Sequence, residues 1–287
     1  MSSIRKLINQ TAIYGTSSII GRFLNFLLTP LYAIQFSNEQ YGIITEMYAY
    51  VAFLVVFLSY GMETAFFRFS TTNKDGKLNI YSNTLYSLIT SSAIFVAMAI
   101  IFCQDIADWL KYPNHKEYII WFSLIVSLDA ISSIPLAKLR LQEKAKKFAL
   151  VNLLNVGVNI FLNLFFLIYC KEAYESGHQN WITENLYNPE IGVGYVFISN
   201  LIASVIKFGV LMPIMNFKGV FDFTILKNMI SYAAPMLLVG LAYVVNETLD
   251  RAMLKSILFN QYLENGDAKN SSQALSMALS QNGIYGA

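Results

Sequence analysis

The chain has 287 residues, of which 55% are apolar and only 13% charged, with a mean hydropathy of +0.47 and a formal net charge of +2. Soluble domains carry about a quarter charged residues, so composition excludes an ordinary soluble enzyme or binding module. About 20 apolar residues cross a bilayer as a helix, and seven runs qualify: 11–36, 43–67, 83–103, 118–137, 148–170, 191–214 and 229–249. No stretch alternates in the way barrel strands do. The expected fold is all-α, a polytopic transmembrane helix bundle.

The first span carries Arg22 in the middle of its apolar run. A guanidinium at mid-membrane depth costs about 2.5–3.5 kcal/mol on insertion scales, so it should face protein or water. Thr11, Gly15, Ser18, Arg22, Asn25 and Thr29 are spaced four, three, four, three and four. At about 100° per residue they share an arc of roughly 80°, the pattern of a cavity-lining helix. The run is too long for the apolar core of a cleavable signal and is interrupted by Arg22, so it reads as a retained helix.

The second span shows Glu46, Tyr50, Phe53, Phe57, Tyr60, Gly61, Thr64 and Arg68 on one side, with Glu46 and Arg68 near its ends and within reach of water. Such aromatic stripes are more often packing than sugar platforms. Between the third and fourth spans, 104–117 contains Ile106, Trp109 and Leu110, as in an interfacial half-helix. Asp129 lies midway along the fourth span, at a depth matching Arg22, so the two are expected to pair across the bundle. The fifth span carries Asn152, Asn155, Asn159 and Asn163, spaced three, four and four. Four amides on one face make either interhelical glue or a hydrogen-bonding wall suited to sugar hydroxyls and phosphate oxygens. Lys207 in the sixth span can snorkel to the nearer surface. The seventh span has Pro235 in mid-run, a site for bending, and a polar outer end with Asn246, Glu247, Asp250 and Arg251. These groups suit Na⁺ binding or proton carriage and serve equally as an interfacial cap. The segments 171–190 and 250–282 read as longer polar loops.

Charge distribution sets the orientation. With a cytoplasmic N-terminus, twelve Lys and Arg fall on inner segments, five of them within 138–147, against six on outer segments, in keeping with the positive-inside rule. Cys103 and Cys170 both end outward-running helices. A bridge between them is geometrically conceivable, although isolated cysteines in membrane proteins are usually unpaired. No Walker loop, dinucleotide fingerprint or zinc-spaced Cys/His set is present. His115 and His178 both fall in outer loops. No cofactor, metal or nucleic-acid partner is called for. Any transport would draw on an ion gradient, the membrane potential or the substrate gradient.

A weak internal echo links Lys6-Leu7-Ile8 and Gln40-Tyr41-Gly42-Ile43 to Lys227-Asn228-Met229-Ile230 and Gly283-Ile284-Tyr285-Gly286. It makes the seventh span the counterpart of the first, as in transporters built from repeats. The expected organisation is an N-terminal six-helix lobe over 1–214. The start of a second lobe follows over 215–287, truncated where an eighth helix should begin.

Several motifs, taken in order, carry a family resemblance: Gly21-Arg22-Phe23-Leu24-Asn25 through Thr29-Pro30-Leu31-Tyr32, Tyr41-Gly42, Gly61-Met62-Glu63-Thr64-Ala65 to Arg68, and Leu139-Arg140-Leu141-Gln142-Glu143-Lys144. Tyr232-Ala233-Ala234-Pro235, Leu249-Asp250-Arg251 and Gly283-Ile284-Tyr285 complete the set. The chain resembles polysaccharide flippases of the multidrug/oligosaccharidyl-lipid/polysaccharide exporter superfamily. The resemblance implies twelve to fourteen helices in two lobes around a central cavity. It implies alternating access and the transfer of undecaprenyl-pyrophosphate-linked oligosaccharide across the bacterial inner membrane, for O-antigen, capsule or related glycans. Arg22 matches the first-helix arginine of the lipid II flippase branch, where cationic cavity residues attract pyrophosphate. Asn25 stands near the place where that branch often has a second arginine. Some seventh-helix acidic groups of the family take part in Na⁺ binding. The expected partners are a lipid-linked oligosaccharide, membrane lipids, and Na⁺ or H⁺. Expected substrate contacts are Arg22, Asn25, Asn152, Asn155, Asn159, Asn163 and Asp129, with Asn246, Glu247 and Asp250 for ion coupling. A cation-coupled drug exporter of the same superfamily and a membrane-embedded glycan polymerase or acyltransferase remain as alternatives. The charge count argues against a seven-helix receptor.

Overall fold

The computed structural model describes residues 2–72, 76–177 and 180–286, with side chains described from Thr11 onward except at 182 and 247–252. His178 and Lys74 lie outside the described residues. The described chain is helical throughout and contains seven helices or helix pairs long and apolar enough to cross a membrane. Many large apolar side chains lie on the surface, among them Ile19, Phe23, Ile101, Phe161 and Leu238. Exposure on that scale fits a lipid-facing surface, since it would aggregate in water.

The first crossing is α1 (Ser2–Phe26) followed by α2 (Leu28–Gln35). Pro30 has no N–H to give the Phe26 carbonyl, and the helix is interrupted there. The second crossing is α3 (Asn38–Ser59) and α4 (Met62–Thr72). Ser37 caps α3 reciprocally with Gln40, satisfying two otherwise orphaned N–H groups. The break after α3 occurs at Tyr60 and Gly61, both left-handed, with φ of 33° and 70°. A Cβ at Gly61 would also lie 2.8 Å from the Ala233 carbonyl oxygen, so glycine answers both the dihedral and the close helix approach. The stripe read along the second span therefore does not continue as one face through to Arg68.

The chain proceeds through α5 (Lys77–Ile101), α6 (Cys103–Trp109), α7 (Lys116–Leu141) and α8 (Ala145–Leu164). A π-helical turn over Phe165–Cys170 then leads into α9 (Lys171–Glu175). After α10 (Trp181–Leu186) come α11 (Gly194–Leu211), α12 (Phe223–Glu264) and α13 (Ser271–Gly286). The stretch expected as an outer loop over 250–282 is thus mostly helix. At 1.5 Å per residue, the 42 residues of α12 make a rod about 63 Å long, and α13 is a helix from Ser271 onward. Cys103 and Cys170 are free thiols.

The buried apolar residues form two main clusters. One joins α2, α3, the turn after α6, the first half of α7 and the start of α11, with Tyr32, Met47, Tyr118, Phe122 and Phe197 at its centre. The other joins α4, α5 and the second half of α7 to the start of α12 through Met62, Phe66, Leu85, Ile134 and Met229. The connection from α11 to α12 is fastened to α5. Fully buried Asn83 donates to the Val220 carbonyl at 3.1 Å and accepts from the Asp222 N–H at 2.9 Å, while Tyr86 donates to the Phe217 carbonyl at 2.9 Å.

The two echoing segments of the sequence pack against each other. A Cβ on Gly42 would sit 2.0 Å from the Leu279 carbonyl oxygen, and one on Gly283 would sit 2.0 Å from that of Asn38. Tyr41 donates to the Gly286 carbonyl at 3.3 Å, and Ser276 donates to Glu39 at 2.7 Å. Backbone meets backbone here because neither glycine interposes a side chain, the usual route to close helix crossings in lipid.

Candidate functional site

A cavity of about 380 Å³ opens between α1, α2, α3, α8 and α11, with the end of α13 at its edge. Its polar lining comes from Asn25, Thr29, Tyr32, Tyr41, Thr45, Tyr48, Asn155, Asn159 and Asn200, and its apolar lining includes Leu28, Ile44 and Val156. Helical periodicity produces this wall. Asn25 and Thr29 are one turn apart on the first crossing, Tyr41, Thr45 and Tyr48 follow at spacings of four and three on α3, and Asn155 and Asn159 are one turn apart on α8.

The lining is held in place by buried hydrogen bonds behind it. Asn163 is fully buried, accepts from the Tyr32 hydroxyl at 3.0 Å, and donates to the Asn159 side-chain and main-chain oxygens at 3.1 and 2.8 Å. Asn200 donates to the Tyr48 hydroxyl at 3.2 Å. In contrast, the Asn155 side-chain oxygen is shielded and has no hydrogen-bond partner among the described residues. A shielded acceptor left without a partner costs stability.

The sequence-derived candidates therefore separate. Asn25, Asn155 and Asn159 share the cavity wall, and Asn163 supports it from behind. Asn152 is partly exposed on the same helix and is not among the lining residues. Arg22 is exposed, one turn before Asn25, and among the described residues it makes no ion pair. Asn246 is exposed, and the side chains of Glu247 and Asp250 lie outside those described. The expected Arg22–Asp129 pair is corrected. Asp129 instead accepts from the Lys207 ammonium at 2.6 Å and from the Ser204 hydroxyl at 3.0 Å. Lys207 accordingly does not snorkel to the surface. It is buried and paired, because α11 places Ser204 and Lys207 three residues apart facing the middle of α7.

Sequence reasoning missed Tyr32, Tyr48 and Asn200 on the cavity side. A signal existed for the last, since Asn200, Ser204 and Lys207 fall at spacings of four and three and mark one polar face of α11. It also missed a second ionic centre. Glu46, read as an end residue close to water, is 1% exposed and paired with Lys255 on α12 at 2.9 Å. Burial lowers the pKa of Lys255, and neighbouring Glu46 opposes that shift. The hydroxyl pKa of Tyr112 is raised well above its ordinary value by burial and next by Glu46, so it remains a donor. On the other face of the bundle, Glu63 pairs with Arg140, joining α4 to α7.

No curated protein and no solved structure matches the chain. The sequence does match the polysaccharide biosynthesis protein family over residues 7–263, nearly its full length. With seven membrane-crossing elements and a hydroxyl- and amide-lined cavity, this match supports a polysaccharide-related membrane transporter, in a family whose members are generally transporters rather than enzymes. The chain belongs to the polysaccharide biosynthesis protein family.

Proposed function

We propose that this protein moves lipid-linked oligosaccharide, carried on undecaprenyl pyrophosphate, across the bacterial inner membrane for surface polysaccharide such as O-antigen or capsule. It does so by alternating access, with its N-terminus in the cytoplasm. A glycan headgroup with two phosphates cannot enter hydrocarbon unaided, because each polar group would lose its hydrogen-bond partners. The carrier supplies substitutes while the polyprenyl tail stays in lipid.

The observation that carries this reading is the chemistry of the cavity wall. The amides of Asn25, Asn155, Asn159 and Asn200 and the hydroxyls of Thr29, Thr45 and Tyr48 give the wall a mixture of donor and acceptor groups, some of them also bonded to one another. Sugar hydroxyls, themselves donors and acceptors, are matched by such a surface. The volume of about 380 Å³ falls at the lower end of small-ligand sites, about 300–1,000 Å³, so one portion of a glycan headgroup is held at a time. Arg22, exposed one turn away and without an ion pair among the described residues, is the cation suited to the pyrophosphate.

The drug-exporter alternative gains nothing from Asp129, the carboxylate midway along the fourth span, which is paired with Lys207 and does not line the cavity. For the coupling ion we propose Na⁺ or H⁺, with Asn246, Glu247 and Asp250 as candidate groups. Replacing Arg22 with Ala should abolish surface glycan export at unchanged protein level. Wild-type glycan in that strain would refute the role, and altered drug susceptibility of a pump-deficient host would favour the drug exporter.

A further inference from the structure

Away from the cavity, on the opposite side of α3, the Lys255 ammonium is enclosed by oxygen. It donates to Glu46 Oε1 at 3.0 Å and lies 2.9 Å from Oε2, donates to the Leu110 carbonyl at 2.6 Å, and stands 3.9 Å from the centre of the Tyr112 ring. The Glu46 carboxylate receives in addition the Tyr112 hydroxyl at 2.5 Å and the Tyr50 hydroxyl at 3.1 Å. The ammonium thus makes two hydrogen bonds, an ion pair and a ring contact, and both carboxylate oxygens have partners. Glu46 and Lys255 are 209 positions apart in sequence, and the cluster joins three separate segments: α3, the turn after α6, and the far half of α12.

The other half of α12 is held differently. Leu226, Met229 and Ala233 pack on Met62, Phe66 and Leu85. Apolar contacts of that kind can slide by small steps, as in shear motions of packed helices. A desolvated ion pair has no such intermediate positions. It adds little stability over apolar residues of equal volume, but separating its partners leaves an uncompensated buried charge. The first half of α12 thus combines apolar contacts with the Asn83 hydrogen bond at its N-cap and the Arg68 guanidinium over the Tyr232 ring, whereas the far half is held by a desolvated ion pair.

We infer that Glu46 and Lys255 form a two-state latch closing the extracytoplasmic ends of α3 and α12 on each other, and that its release opens that side of the carrier. The inference rests on the transport reading above and its topology, in which the ends of α2 and α5, the start of α7 and the far half of α12 share one face. The contacts of α13 with α3, at Gly42–Gly283 and Ser276–Glu39, belong to the same closed end. They cover Thr45, which is 8% exposed beside Gly286 and also lines the cavity.

The test uses Thr45→Cys as a reporter in the full chain with Cys103 and Cys170 changed to Ser, labelled from the outer face by a membrane-impermeant maleimide. Labelling should be slow with the latch intact and rise about tenfold in Lys255→Met and Glu46→Gln, since removing one partner of a buried pair shifts a closed-open equilibrium by at least that factor. Labelling unchanged in both variants overturns the latch. Should neither variant accumulate, amide hydrogen exchange of the unmodified protein decides. Residues 42–50, 108–113 and 253–260 should open in one concerted event, and independent opening of 253–260 overturns the proposal. Neither readout depends on the substrate. A loss of the glycan reading through Arg22→Ala and a loss of the latch are thereby separable.

Discussion

The two faces of α3 present opposite solutions to a polar group inside a membrane. Toward α8 and α11, Thr45, Tyr48 and their neighbours border a cavity in which at least one amide oxygen, that of Asn155, has no partner. Toward α12, Glu46 is surrounded by two hydroxyls and an ammonium with every group satisfied. A satisfied cluster holds a structure together or releases it as a unit. An incompletely satisfied wall is retained at some loss of stability. The largest losses of stability should therefore fall on the α12 face, and losses of transport at unchanged stability should be confined to the cavity face.

The largest expected effect on stability is on the α12 face. Lys255→Met leaves the Glu46 carboxylate buried without its cation and should destabilise the protein by about 3–5 kcal/mol, whereas Glu46→Met with Lys255→Met should recover most of that loss. Thermal unfolding in detergent measures both, and equal melting of the single and paired variants would erase the contrast. Next comes Gly42→Ala. Its Cβ would fall 2.0 Å from the Leu279 carbonyl oxygen, so α13 must move away from α3, at about 1–3 kcal/mol. Reduced cross-linking between cysteines placed in α3 and α13 reports the separation.

Asn163→Ala should destabilise by about 1–3 kcal/mol, because the Tyr32 hydroxyl and the Asn159 amide lose their buried partner. Its effect on glycan export should follow from the displaced wall. Asn155→Val is the smallest change in stability, within about 0.5 kcal/mol of the parent, since the oxygen removed had no partner to lose. Export of glycan should nevertheless fall in that variant. An Asn155→Val protein that melts early and exports normally would reverse the assignment of the two faces.

Much of this organisation is readable from the chain itself, and unevenly. The seven apolar runs depend on local periodicity and appear in the structure, whereas of the two polar stripes only Asn25, Thr29, Asn155 and Asn159 reach the cavity wall. Arg22 shares that spacing but is exposed and outside the cavity lining, and the first crossing is interrupted just before Pro30. Period alone does not report an interruption, and the same applies at Tyr60 and Gly61 on the second crossing.

Pairing is the part that periodicity cannot supply. Asp129 was matched with Arg22 on depth, although Lys207 on an adjacent helix was at hand. Lys255 was assigned to a loop, although it lies within the long α12 and meets Glu46 across the fold. From the sequence alone come the membrane class, the number of crossings and which residues share a helix face, because insertion and helix geometry act over about 20 consecutive residues. Only the tertiary structure decides which faces meet, because a buried charge is settled by the partner that packing brings to it, however distant along the chain.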